Sequence, residues 1–214
     1  MTAPRVVAVV AGPPGAALDH ARLEGVASGP GALARAATTG ADWLWLLAAG
    51  ALPREDALPR LLDAVAPSGE PAAALVAGMA LDGAGRALED LLPAPDRSDA
   101  AAVLRLAALR LCPVRHASFA NTLVRRDAFA RLGLPDERAY GPYAPVAWTA
   151  RLLRDEPGRL CPASVVTIAS RAHPKATLAA TVRMARSGVW TRGEAFGALG
   201  ALSRPRPRRA AGRW

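Results

Sequence analysis

Two short runs of unbroken apolar residues constrain the fold of this chain more than any other feature. Val6–Val10 is Val-Val-Ala-Val-Val, and Trp43–Leu47 is Trp-Leu-Trp-Leu-Leu. A strand with one face in water alternates apolar and polar residues, whereas a strand covered on both faces does not. Both runs therefore predict buried, parallel-type strands with helices packed on either side. The first ends in Gly12-Pro13-Pro14-Gly15 and the second in Ala48-Ala49-Gly50, so each strand gives way at once to a loop of small residues.

The intervening segments supply the helices. Residues 19–27 read as a short helix broken by Ser28-Gly29-Pro30-Gly31, and residues 33–38 as a second helical piece with Gly40 beyond it. Pro53 is expected to open a helix, with Glu55 and Asp56 in its first turn and Leu58, Leu61, Leu62 and Val65 on its apolar face. Residues 73–81 read as a strand and Asp82-Gly83-Ala84-Gly85 as a hairpin turn. A proline-rich loop follows over 91–99, and Asp99 is placed to cap a helix running to Leu111. Further on, residues 118–124 predict a strand, Asp127–Leu132 a helix stopped by Gly133, 148–154 a helix, and 164–168 a strand. Residues 177–189 carry Leu178, Val182, Ala185 and Val189 on one helical face. Strands alternating with helices, plus one hairpin, give an α/β protein with a mixed sheet.

Length and composition bound the rest. The 214 residues suit one domain with appendages, and the 51% hydrophobic content, much of it alanine, suffices for a core. Charge is unevenly spread. Residues 1–99 hold 7 Arg against 12 acids, a net of −5, and residues 100–214 hold 20 basic against 6 acidic residues, a net of +14. The basic second half points to an anionic partner. The chain is expected to be one domain over 1–203 with a disordered Arg-rich tail over 204–214.

Several chemistries lack their residues. Cys112 and Cys161 make no disulfide framework and no C-x-x-C pair, and are expected as reduced thiols. His20, His116 and His173 are too scattered for a helix-face metal site. The loop after the first strand lacks Gly-Lys-Ser/Thr, and its prolines remove the N–H groups that would cradle phosphate. No G-x-S-x-G is present. The tail lacks an aromatic platform, so no nucleic acid is expected. There is no run of about 20 apolar residues for a membrane span, and the N-terminus is not that of a signal peptide, so a cytoplasmic protein is expected.

One stretch carries more than composition. Ala41-Asp42-Trp43-Leu44-Trp45-Leu46-Leu47-Ala48-Ala49-Gly50-Ala51-Leu52-Pro53, followed by Leu58, Leu61 and Leu62, resembles a segment of the family-two glycosyltransferases of GT-A fold, nearest the actinobacterial rhamnosyl- and galactofuranosyltransferase-like members. Further blocks keep the family's order: 117–129 with Gly133-Leu134-Pro135, then Tyr140 to Arg154, then Ser164-Val165-Val166, and Arg186 to Gly193. The resemblance covers about residues 41–195. It implies a GT-A-like, mixed, mostly parallel sheet flanked by helices. The nucleotide-binding half would be shortened, since only some 30 residues separate Val10 from Trp43, room for one crossover unit where the family has two further strands.

The resemblance also implies where chemistry should sit, and those positions are degenerate. The family's metal and nucleotide-sugar carboxylates fall on Ala48, Ala49 and Gly50, and its general-base block on Ala144, Pro145, Val146 and Ala147. A sugar diphosphate leaves with concentrated charge that a divalent cation offsets, and such a cation takes hard oxygen ligands. The acceptor hydroxyl also needs a base in reach. Methyl groups, a glycine and a proline supply neither. No catalytic residue, metal or other cofactor is therefore expected. Asp136-Glu137 is the nearest acidic pair. Arg125, Arg126, Trp148, Arg151, Trp190 and Arg192 remain as ligand or partner candidates.

Three functions follow as expectations. The first is a glycosyltransferase-like protein without its chemistry, acting as an accessory or scaffold in cell-envelope glycan assembly. It would sit in the cytoplasm or peripherally at the inner face of the membrane, bound to an active glycosyltransferase, an acidic protein or anionic lipid through its basic half. The second is an active, metal-independent transferase that uses Arg125 or Arg126 on the diphosphate. The third is a basic anion-binding module driven by the tail.

Overall fold

The computed structural model describes residues 3–11, 23–168 and 178–191. The loop 12–15, His20, His173, Arg192 and the tail 204–214 lie outside the described residues.

In chain order the elements are β1 (Val6–Val10), β2 (Leu23–Ser28), α1 (Ala32–Ala37), β3 (Trp43–Leu47), β4 (Ala51–Pro53), α2 (Ala57–Asp63), β5 (Leu75–Asp82), β6 (Ala94–Pro95), α3 (Ala100–Ala108), β7 (Cys112–His116), β8 (Asn121–Arg125), α4 (Asp127–Leu132), α5 (Glu137–Tyr140), α6 (Ala144–Leu152), β9 (Gly158–Ile168) and α7 (Leu178–Arg186). Among the described residues the strands form one sheet in the order β2-β1-β3-β8-β5-β9-β7-β6, with β4 joined to β9. Pairing is parallel in β2-β1-β3 and between β5 and β9. β8 runs antiparallel to both β3 and β5. The expected α/β class with a mixed sheet and flanking helices is what forms.

The two apolar runs pack as their composition requires. Val6, Ala8, Val10, Trp43, Trp45 and Leu47 face one side, where α2 contributes Ala57, Leu58 and Leu61. Val7, Val9, Leu44 and Leu46 face the other, against Ala32 and Ala36 of α1, Phe129 of α4 and Trp148 of α6. Every residue of β1 and β3 is buried. Successive side chains of a strand alternate faces, so only an unbroken apolar run fills both layers.

Several local expectations are corrected. Residues 23–27, expected within the helix over 19–27, instead form β2 together with Ser28, parallel to β1. Its first residues alternate between half-buried and exposed because, among the described residues, it is the last strand in the sheet order and pairs with β1 alone. Pro53 does not open a helix; it closes β4, which pairs with Val166 to Ile168, and α2 begins at Ala57. The helix capped by Asp99 starts as expected, with the Asp99 carboxylate accepting from the Ala102 N–H at 3.0 Å. It ends at Ala108 rather than Leu111, because Arg110 turns left-handed at φ 57°. β7 was not foreseen: Pro113, Arg115 and His116 break the apolar pattern of a strand that pairs on both sides. β9 is longer than residues 164–168.

Other expectations hold. α4 stops at Gly133, whose φ of 72° suits glycine alone. The turn after β5 closes with the Asp82 carboxylate accepting from the N–H groups of Ala84 and Arg86, both at 2.9 Å. Both cysteines are free, and burial pushes the Cys161 thiol up from its ordinary value.

Candidate functional site

A cleft of about 800 Å³ opens at the carboxyl ends of β1 and β3. In open α/β sheets ligands bind outside the carboxyl ends of the strands, where adjacent connections leave in different directions. Here the chain leaving β2 passes through Gly29-Pro30-Gly31 into α1 and builds one wall, while Leu134 to Arg138, running from beyond α4 into the start of α5, builds the facing wall. Val9, Val10, Leu46 and Leu47 form the floor, and Phe119 and Pro145 close the end.

The glycine wall is held by backbone geometry and one side chain. Gly29 and Gly31 sit at φ 76° and 71°, conformations that other residues adopt only under strain. The Arg35 guanidinium, one turn into α1, donates to the carbonyls of Ser28 and Pro30, both at 2.8 Å. It ties the loop to the helix. The opposite wall is fixed at Asp136, whose carboxylate accepts from the Ala139 N–H at 2.9 Å and caps α5.

Charge in the cleft is sparse. Asp136, Glu137 and Arg138 stand at the mouth, and all three are exposed. Every other lining residue among the described ones is apolar, glycine or proline.

The positions singled out by the glycosyltransferase resemblance are built as turn and packing. Ala48, Ala49 and Gly50 make the tight turn from β3 to β4, closed by the Ala51 N–H on the Ala48 carbonyl at 3.1 Å, with Gly50 at φ 70°. Ala48 packs on the core beside α2. Ala144 and Ala147 are buried in α6, and Pro145 presents its ring to the cleft. A divalent cation needs several hard oxygens converging on one point. Among the described residues the carboxylates lining the cleft are Asp136, already committed as a helix cap, and its neighbour Glu137, while Asp82 at the carboxyl end of β5 accepts from the N–H groups of its own turn. Among the described residues no group of three or more His, Cys, Asp and Glu is arranged to hold a metal ion. These residues do not fit the metal that the resemblance implies.

The other candidates are dispersed. Arg125 and Arg126 lie beside Trp43 and Asp42, at the opposite end of β3 from the cleft. Arg125 pairs with Asp127 at 2.7 Å and Glu156 at 3.1 Å, while Arg126 donates to the Ala41 carbonyl at 2.9 Å. Trp148 is 2% exposed, stacks on Phe129 at 4.4 Å, meets Phe119 edge-on at 5.9 Å, and donates to the Gly133 carbonyl at 2.7 Å. It holds α6 to α4 and lies behind the cleft wall. Arg151 is exposed on α6. Trp190 meets Tyr143 edge-on at 4.9 Å, and Arg115 donates to the Val189 carbonyl at 2.7 Å, which docks the end of the α7 segment.

Sequence reasoning missed the cleft walls. Gly29-Pro30-Gly31 was legible only as a helix break, and Phe119 and Leu134 only as family-block residues. The available signal was position: the loops following two buried strands.

No protein-family model matches the chain, and no curated protein matches it in sequence. Among the described residues, no helix is long and apolar enough to cross a membrane.

Proposed function

We propose that the chain is a GT-A-like protein of the glycosyltransferase family type that has lost metal and nucleotide-sugar chemistry. It acts as a non-catalytic accessory or scaffold beside an active glycosyltransferase in cell-envelope glycan assembly. The pathway and the partner rest on the sequence resemblance. The observation that carries the loss of chemistry is the cleft at the carboxyl ends of β1 and β3. A ligand site stands where such a sheet places one, yet the turn Ala48-Ala49-Gly50 and the Pro145 ring occupy the positions where carboxylates would be required.

Two further features support this reading. A single strand, β2, lies beyond β1 among the described residues, in keeping with a nucleotide-binding half shortened by one unit. The packing residues of the family blocks, Trp43, Leu58, Leu61 and Trp148, are buried, which supports the reading of a retained scaffold. In this reading the basic second half holds the protein against an acidic partner or the anionic inner face of the membrane.

Calorimetric titration with UDP- and dTDP-sugars in the presence of Mn²⁺ tests the loss of chemistry. No metal-dependent heat is expected, and saturable metal-dependent binding would overturn the proposal.

A further inference from the structure

The cleft is too large to be a packing defect and is lined in a way that selects its ligand. Its volume of about 800 Å³ lies within the ~300–1,000 Å³ of typical small-molecule sites. The floor of Val9, Leu46 and Leu47, with Phe119 and Leu134 at the sides, offers dispersion and burial but almost no hydrogen bonds. Two carboxylates against one guanidinium leave the mouth with a net negative charge at neutral pH, which disfavours an anionic ligand. The Arg35 guanidinium beside the loop is spent on the Ser28 and Pro30 carbonyls. Among the described lining residues, a pyrophosphate entering here would meet one side-chain donor, the Arg138 guanidinium, next in the chain to Asp136 and Glu137.

We infer that this cleft binds an uncharged apolar molecule, with an aromatic ring or branched hydrocarbon seated on the β1–β3 floor, and that it does so without metal. The inference deepens the proposed loss of nucleotide-sugar chemistry and rests on that reading. A site walled by Leu, Val, Phe and Pro, with its described charges confined to Asp136, Glu137 and Arg138, gains free energy mainly by removing apolar surface from water. Its walls are set in advance by the Gly29 and Gly31 backbone, the Arg35 clamp and the Asp136 cap. Little ordering is left to oppose binding.

The test uses N-phenyl-1-naphthylamine, an uncharged dye that fluoresces in apolar surroundings, titrated into the full chain. Saturable binding of one dye per chain is expected, unchanged by EDTA or Mn²⁺. Ala34→Trp, an exposed α1 position on the cleft wall, is expected to weaken it about tenfold by filling the space. Leu134→Asp, on the facing wall, is expected to weaken it similarly. Leu104→Ser, which removes a 73% exposed leucine on α3 away from the cleft, is expected to leave it unchanged. Thermal unfolding checks that each variant is folded. Absence of saturable binding, or binding that both wall variants leave intact, overturns the apolar site while the calorimetric result stands by itself. Displacement of the dye by UDP-glucose only when Mn²⁺ is present overturns both.

Discussion

The indole Nε1 of Trp45 donates to Oδ1 of Asn121 at 3.0 Å, in the interior between β3 and β8. The Asn121 amide then donates to Ser164 Oγ at 3.1 Å and to the Ser164 and Met79 carbonyls at 3.3 and 3.4 Å, and the Ser164 hydroxyl donates to the Ala57 carbonyl at 2.9 Å. One buried asparagine thus joins four strands, β3, β5, β8 and β9, and through Ser164 reaches α2. Polar groups in a dry interior are tolerated when all their bonds are made, and the same network becomes costly when one member is removed. Asn121→Ala is expected to lower stability by about 1–3 kcal/mol per buried group left without its partner. Urea unfolding of the variant, followed by tryptophan fluorescence, measures it.

Gly78 is present because this network leaves no room for a side chain. A Cβ there would meet the Asn121 amide nitrogen and come within 2.6 Å of the Ser164 carbonyl oxygen. Gly78→Ala is expected to cost about 1–3 kcal/mol through overpacking. Gly83→Ala, in open space in the hairpin turn, is expected to change the urea midpoint far less. Equal midpoints for the two variants would contradict the packing account.

Arg159 is 2% exposed, and burial lowers its pKa from the ordinary value. Its guanidinium donates to the carbonyls of Ala64 at 3.0 Å, Val65 at 2.6 Å and Pro71. It satisfies the end of α2 and the loop that follows. Arg159→Met keeps the aliphatic stem but strands those carbonyls, and is expected to destabilise by about 1–3 kcal/mol. Hydrogen exchange should localise the loss to α2.

Trp148 separates a structural from a ligand-binding role. Stacked on Phe129 and bonded to Gly133, it is expected to cost about 3–5 kcal/mol when replaced by alanine. Trp148→Phe should retain part of the stacking and lose the bond. Thermal midpoints ordered wild type, Trp148→Phe, Trp148→Ala fit this assignment. Undiminished stability in both variants would contradict it.

Acid sensitivity has a traceable contributor. The Ser98 hydroxyl and N–H donate to the Asp96 carboxylate at 2.7 and 2.9 Å and hold its pKa below the usual carboxylate range. With the folded value depressed, the unfolded chain takes up the proton first as pH falls. The stabilisation is full above the ordinary carboxylate pKa and is lost on descent through the folded value. Asp96→Asn is expected to flatten the acid limb of a stability-versus-pH curve and leave its neutral plateau shape unchanged.

What was legible in the sequence follows from what each element buries. β1, β3 and α4 were readable because an unbroken apolar run or a Gly133 stop has few alternative meanings. β2 was not, since an outermost strand with half-exposed residues carries no pattern distinguishing it from a short helix. β7 was hidden because its neighbours in the sheet, rather than its own side chains, decide its conformation. Pro53 was misread because proline suits both the first turn of a helix and the end of a short strand. At the site, the absence of carboxylates at Ala48, Ala49 and Gly50 could be read directly. The cleft could not, because its walls come from residues 29–34 and 134–138, brought together only by the sheet.

The central claim is that, among the described residues, no set of hard oxygen donors able to hold a metal stands at the carboxyl end of β3. Electron paramagnetic resonance of Mn²⁺ titrated with the protein and UDP measures this directly. The account predicts a free-ion signal that the protein does not diminish beyond the effect of UDP alone. Saturable loss of that signal at one Mn²⁺ per chain, abolished by neutralising Asp136 and Glu137 together, would contradict it.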